Sequence, residues 1–326
     1  MRKLLTFLLL CAIATAAWLA WALWLPMSPD GQKFVMLRTG YSTRRAAREL
    51  KSAGVIRSSE AFVLWHALHR RPSLKAGEYL FDRGANAIEI HKRLARGDVY
   101  VHTLVIPEGF NMFDIAAAIE SAGLGSRADF LKAAMSDTAL ISDLDPQAKS
   151  LEGYLFPNTY EFTRAQSMHE MAATMVKQFR RVAAELGLRD DVHRVVTLAS
   201  IVEKETAVPV ERQEVASVYE NRLNRRIPLQ ADPSVIYAEL LQGNYSGALH
   251  HNDMSFNSAY NTYRHIGLPP GPIANPGKTS LQASMRPGDT KFLYFVSDGN
   301  GHHRFSNNLE DHNRNVAALR RAVAKR

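Results

Sequence analysis

"GYSTRRAARELKSAGV", residues 40–55, is followed 69 residues later by "GFNMFDIAAAIESAGL", residues 109–124. Gly, Ala, Ser, Ala and Gly coincide at 40/109, 47/116, 52/121, 53/122 and 54/123, and Tyr41/Phe110, Leu50/Ile119 and Val55/Leu124 are alike in kind. Self-similarity at a fixed offset marks an internal repeat. In each copy a short apolar run, "KFVML" or "HTLVIPEG", leads through Gly to Ser42 or Asn111, side chains able to cap a helix, and Gly54 or Gly123 stops that helix. A second helix follows, around "SEAFVLWHALH" or "RADFLKAAM". "AGEYLF" (76–81) reads as a strand, so residues 33–81 run strand, helix, helix, strand.

That order resembles the LysM-type glycan-binding module, in pattern rather than by a sharp signature; a small αβ packing unit without ligand has the same order. Arg44, Arg45, Arg48, Arg70 and Arg71 make the region basic, as solvated faces often are.

Upstream, "LLTFLLLCAIATAAWLAWALWL" (Leu4–Leu25) carries no charge for 22 residues. As a helix it spans about 33 Å, matching a bilayer core of roughly 30 Å. Ala14-Thr15-Ala16 could serve as a signal-peptide cleavage site, but the apolar run continues past it through three Trp, too long for an ordinary signal peptide. Arg2 and Lys3 precede the span, which keeps the N-terminus cytoplasmic and exports everything after Pro26. The single cysteine, Cys11, lies in the span, so the exported part has no disulfide, thiol nucleophile or Cys-based metal site. The net charge of +8 suits an anionic surface such as lipid or a carboxylate-bearing wall polymer, or serves solubility alone. Nucleic acid is excluded as a partner by export and by the lack of a recognition motif.

From residue 150 long helical patterns take over, at about 167–186, 190–206, 209–225, 232–241 and 307–324, with a hairpin signal at 297–301 between "KFLYFV" and "HHRFS". In the second of these helices Val195, Leu198, Ala199 and Val202 form an apolar stripe, and "ASIVEKETAV" (199–208) ends it with Glu203 and Glu205. Glu203 sits on the border of the stripe, where partial desolvation raises a carboxyl pKa toward that of a general acid. Glu205 is rotated from it by about 200°, so the two cannot share one site on an intact helix. Taken alone, each is more often a solvated residue. The clustered histidines (His250, His251, His302, His303, His312) lack HExxH or any comparable ligand spacing, so no metal is expected.

Six segments in order, "LEGYLFPNTYEF" (151–162), "ASIVEKET" (199–206), "LQADPSVIY" (229–237), "AYNTY" (259–263), "GLPPGPIANPG" (267–277) and "FLYFVSDGNGHHRFSNNLEDHN" (292–313), resemble the YceG-like (MltG) family of endolytic murein transglycosylases. The resemblance implies a lyase that cuts the β-1,4 bond between N-acetylmuramic acid and N-acetylglucosamine inside a peptidoglycan strand, without cofactor. It implies Glu203 as the catalytic acid and base, with Glu205 structural or in a surface ion pair. Gln230 and Asp232 are implied as cleft residues for sugar hydroxyls or N-acetyl groups, although Asp before Pro is also a common helix start. Tyr260, Asn261 and Tyr263 offer rings and an amide for sugar contacts, although Tyr also fills cores. Partners implied are peptidoglycan strands, the membrane through one helix, and proteins of peptidoglycan synthesis or division.

The expected fold is α+β: an anchor over 1–26, a βααβ LysM-like region with its repeat over 33–148, and a mostly helical catalytic domain over 149–326 ending in a β-hairpin. A non-catalytic, membrane-anchored scaffold that binds peptidoglycan through the repeats is the rival reading.

Overall fold

The structure, a computed structural model, describes residues 2–69 and 73–324; Arg70 and Arg71 of the basic stretch lie outside the described residues. The chain forms two compact units, Met1–Thr103 with Glu161–Ser167, and Leu104–Tyr160 with Met168–Arg326.

The first unit opens with α1 (Arg2–Trp24), long and apolar enough to cross a membrane. Its last turn is built into the unit. Ala22 and Leu23 are buried, the Trp24 ring meets Trp65 edge-on at 5.6 Å, and Arg57 donates to the carbonyls of Leu25 and Pro26. Met27 and Ala85 then exchange backbone hydrogen bonds of 2.9 and 3.2 Å. The expected strand, helix, helix, strand order follows as β1 (Lys33–Leu37), α2 (Thr43–Ser52), α3 (Ser59–Leu68) and β2 (Gly77–Phe81). β1 pairs antiparallel with β2, Lys33 opposite Phe81 and Leu37 opposite Gly77. Val35, Leu37, Tyr79 and Phe81 share a core with Leu50 and Phe62, completed by Ile90 and Leu94 of α4 (Ala87–Arg96). α4 is an addition to the expected strand, helix, helix, strand order, and it starts at a capping box of Asn86 and Glu89.

The repeat is preserved to the residue in its first half. β3 (His102–Ile106) and α5 (Met112–Ser121) begin and end 69 residues after β1 and α2. Ser42 accepts from the Arg45 N–H and Asn111 from those of Phe113 and Asp114, so both caps act as expected. Gly54 and Gly123 take φ of +72° and +65°, a conformation that favours glycine and ends each helix. After α6 (Arg127–Ser136) the closing strand is delayed. A 3-10 turn and the irregular stretch 141–157 intervene before β4 (Asn158–Phe162), which pairs with β3.

The remainder is helical: α7 (Met168–Leu186), α8 (Val192–Glu205), α9 (Arg212–Asn224), α10 (Asp232–Gln242) and α11 (Lys278–Met285), then the antiparallel hairpin β5 (Tyr294–Ser297) and β6 (His303–Ser306), and α12 (Leu309–Val323). α8 departs from the expected single stripe. Packed against α9, α10 and α11, it buries every residue from Val195 to Val202, Thr197 and Ser200 included. A helix enclosed on all sides is a core helix. At its polar C-terminal end the two glutamates are turned into protein and Lys204 stays exposed.

The proline-rich stretch 267–277 packs on this core. A Cβ placed on Gly153 would lie 2.5 Å from Pro272 Cγ and 2.7 Å from Val196 Cγ1, at a φ of +89°. Gly153→Ala is expected to cost roughly 2–4 kcal/mol through strain and overpacking together. A melting temperature unchanged within error would contradict that packing.

Candidate active site

At the end of α8 three consecutive side chains go to three different places. Glu203 accepts from Arg212 Nη2 at 2.9 Å and from the Gly277 N–H at 2.9 Å. Lys204 donates to the Gly109 carbonyl at 3.2 Å. Glu205 turns into a separate cleft and accepts from the Tyr219 hydroxyl at 2.9 Å.

The Glu203 site is a buried ion pair. The Arg212 and Glu203 side chains are only 7% and 5% exposed, and the same guanidinium also bonds Thr279 and lies 3.4 Å from Glu108. The pair fastens α8 to the start of α9 and to the stretch entering α11. Ion pairing thus falls, buried, on Glu203, the residue the resemblance implies as acid and base, whereas the resemblance leaves Glu205 structural or in a surface ion pair.

Glu205 has the opposite surroundings. No cation lies within ion-pair distance of it among the described residues, and burial pushes its carboxyl up to about 7, although Tyr219 donates to it. Its cleft, about 290 Å³, is near the small end of ligand pockets, which run from roughly 300 Å³ upward. The lining includes Gln230, Asp232 and Tyr263, together with Arg222 and His312. Asp232 is the first residue of α10 and accepts from the Tyr263 hydroxyl. Gln230 is held at φ +53°, unusual for a side-chain-bearing residue, by its N–H donating to the Thr262 carbonyl at 3.2 Å. Strained backbone of this kind gathers at working sites.

Three of the five residues expected to contact sugar therefore share a cleft with Glu205. The other two lie outside its lining. Asn261 is fully buried, its amide nitrogen donating to the carbonyls of Met254 and Phe256 at 3.0 and 2.8 Å and its oxygen accepting from the Tyr263 N–H at 2.9 Å, so it shapes the loop that presents Tyr263. The Tyr260 ring lies 5.2 Å from Tyr237, in the neighbourhood of Glu152.

Glu152 itself is a hub. It accepts from the Met112 N–H at 2.9 Å and from Asn275 Nδ2 at 2.8 Å, and burial pushes its carboxyl up to about 8. Asn275 also accepts from the Leu155 N–H at 2.8 Å and donates to the Phe110 carbonyl at 2.9 Å. The motifs "LEGYLF" and "PIANPG" thus meet in the interior, and the proline-rich stretch is tied down by Asn275 as much as by its prolines.

Among the described residues no three His, Cys, Asp or Glu gather as metal ligands. His302 and His303 both turn to Glu211, at 2.9 and 2.8 Å, fastening the hairpin to the start of α9.

Residues 35–318 match the YceG-like family. An endolytic murein transglycosylase of Bacillus subtilis (strain 168) is 32% identical over 312 residues, covering 89% of this chain and 86% of the relative. An endolytic murein transglycosylase of Streptococcus pneumoniae serotype 2 is 30% identical over 335 residues, and the chain spans 60% of that relative's length. The crystal structure of a YceG-like protein from Listeria monocytogenes matches with a TM-score of 0.57 at 32% identity, covering 88% of this chain and 99% of that one.

Proposed function

The chain belongs to the YceG-like family, and from that membership we propose that it is a peptidoglycan lytic transglycosylase in which Glu205 is the acid and base. The observation that carries the assignment is a buried carboxyl, pushed up to about 7 and held by no cation, in a cleft shared with Gln230, Asp232 and Tyr263. Relatives named endolytic murein transglycosylases support the substrate class.

In this reading protonated Glu205 gives its proton to the glycosidic oxygen as the bond from C1 of N-acetylmuramic acid to that oxygen breaks. The resulting carboxylate takes the proton of the C6 hydroxyl, whose oxygen bonds to C1 and closes a 1,6-anhydro ring. The carboxyl is regenerated and no water is consumed. An ordinary glycosidase needs a second carboxylate as nucleophile or to activate water. Here the nucleophile belongs to the substrate, so one carboxyl suffices. Asp232, fixed by Tyr263, and Gln230 offer oxygen and amide groups to sugar hydroxyls or N-acetyl groups. In the same reading α1 anchors the protein in the membrane with its N-terminus cytoplasmic. The groove of about 630 Å³ beside Gly40, Tyr41 and Ser42 in the first unit lays glycan alongside, as a LysM-like module would.

Incubation of the full chain, in detergent, with purified peptidoglycan tests the reaction. Mass analysis is expected to find strand-internal cuts ending in 1,6-anhydromuramic acid. Reducing ends would mean that water is the nucleophile.

A further inference from the structure

The cleft contains a cation that none of its carboxyls contacts as an ion pair, although Glu205 is near enough to act on it electrostatically. Arg222, only 9% exposed, donates through Nε to the Leu293 carbonyl at 2.7 Å and through Nη1 to those of Pro228 and Leu229 at 3.2 and 2.9 Å and, at 3.4 Å, to Gln230 Oε1. No carboxylate comes within ion-pair distance of it, and no acceptor bonds its Nη2, among the described residues. A buried charge held only by carbonyl dipoles is costly unless something supplies an acceptor.

Its guanidinium lies over the Tyr294 ring at 5.1 Å, and the His312 ring is stacked on that same ring at 5.1 Å and 25°. His312 Nδ1 is buried with no partner. Burial first, and then the neighbouring guanidinium, disfavour the charged imidazole, and in the neutral ring an orphaned acceptor costs less than an orphaned N–H, which places the proton on Nε2. Arg222 and His312 both line the cleft. The cleft is thus bipolar in chemistry. Glu205 and Asp232 serve one kind of group, and two donors without an acid to satisfy them serve another.

We infer that Arg222 and His312 form an acyl-oxygen site that holds the muramoyl sugar for attack at its C1, a specificity role that rests on the glycan-cleaving reading of this cleft. Peptidoglycan presents two such oxygens, the 2-acetamido carbonyl common to both sugars and the 3-O-lactyl carbonyl carried only by N-acetylmuramic acid. A guanidinium with an adjacent imidazole N–H suits either, and neither donor suits the positive charge that develops at C1.

The test uses the full chain in detergent with Glu205→Gln to prevent turnover, alone and combined with His312→Phe or His312→Gln. Phe keeps a ring to stack on Tyr294 and loses the donor, whereas Gln keeps an N–H and loses the ring. Calorimetric titration with a muramoyl-peptide tetrasaccharide is expected to show binding weakened about tenfold by Phe, the loss of one hydrogen bond in a desolvated site, and largely retained by Gln. Weakening by Phe of the muramoyl glycan alone assigns the lactyl oxygen. Equal weakening of a chitooligosaccharide of the same length assigns the acetamido oxygen. Binding that Phe leaves unchanged, or that Gln weakens more than Phe, overturns the site while the reading of the cleft survives on cleavage by the parent. No binding by Glu205→Gln together with no cleavage by the parent overturns both.

Discussion

Glu205→Gln lowers the rate of peptidoglycan cleavage by about a thousandfold or more while the protein keeps its fold. The amide matches the carboxyl in shape and still accepts from Tyr219, but has no proton to give and none to take. A positioned acid or base contributes 10²–10⁴-fold, and in the proposed mechanism Glu205 does both jobs in turn. The parent's pH profile belongs to the same prediction. Because burial raises the carboxyl to about 7, the protonated form needed for the first transfer is dominant below that pH. The specificity constant should therefore be level on the acid side and fall about tenfold per unit above it. Glu203→Gln is the discriminating control, retaining cleavage to within about tenfold. If Glu203→Gln abolished cleavage and Glu205→Gln did not, the assignment of the two carboxyls would be reversed.

Arg212→Met unfolds the second unit at a much lower temperature. The substitution keeps most of the side chain's length and leaves Glu203 charged, buried and bonded only to the Gly277 N–H. Removing one partner of a buried ion pair costs about 3–5 kcal/mol, because the survivor keeps its desolvation penalty and loses the compensating charge. Each kcal/mol shifts the melting temperature by about 2–4 °C in a unit of this size, so a drop on the order of 10 °C is expected by calorimetry at neutral pH. Glu203→Leu combined with Arg212→Met should recover most of the loss, since no charge is then stranded. A melting temperature within about 2 °C of the parent for Arg212→Met would mean that Glu203 escapes to solvent.

How far the sequence carried the structure can be judged at particular residues. The repeat was readable because caps and stop glycines are local signals, and Ser42, Asn111, Gly54 and Gly123 act where they stand. The five long helices in the second half were readable from apolar periodicity. The β4 strand was not, because the stretch 141–157 separates it from the helix it follows in the repeat pattern. The 200° rotation between Glu203 and Glu205 announced two environments without saying which one was the cleft. That choice is made by α9, which brings Arg212 to one carboxyl and Tyr219 to the other. A signal was present there. Arg212, Val215, Tyr219 and Arg222 recur at i, i+3, i+7 and i+10, and all four are buried, so two arginines occupy the apolar stripe of the helix. His312 had no comparable signal, since α12 buries no residue fully and its contact with Tyr294 depends on how the hairpin folds.

The union of α1 with the first unit has a mechanical consequence. Leu25, Pro26 and Met27 are each hydrogen-bonded to residues of that unit, leaving no slack stretch at the point where helix becomes module. A protein on a loose leash explores a hemisphere above its anchor, and its reach grows with the square root of the leash length. Here the module's tilt is fixed relative to its own helix. With α1 in a bilayer and glycan held by the module, as proposed above, strands would be met by lateral diffusion in that plane, and those farther out in the wall than the module stands would be beyond its reach.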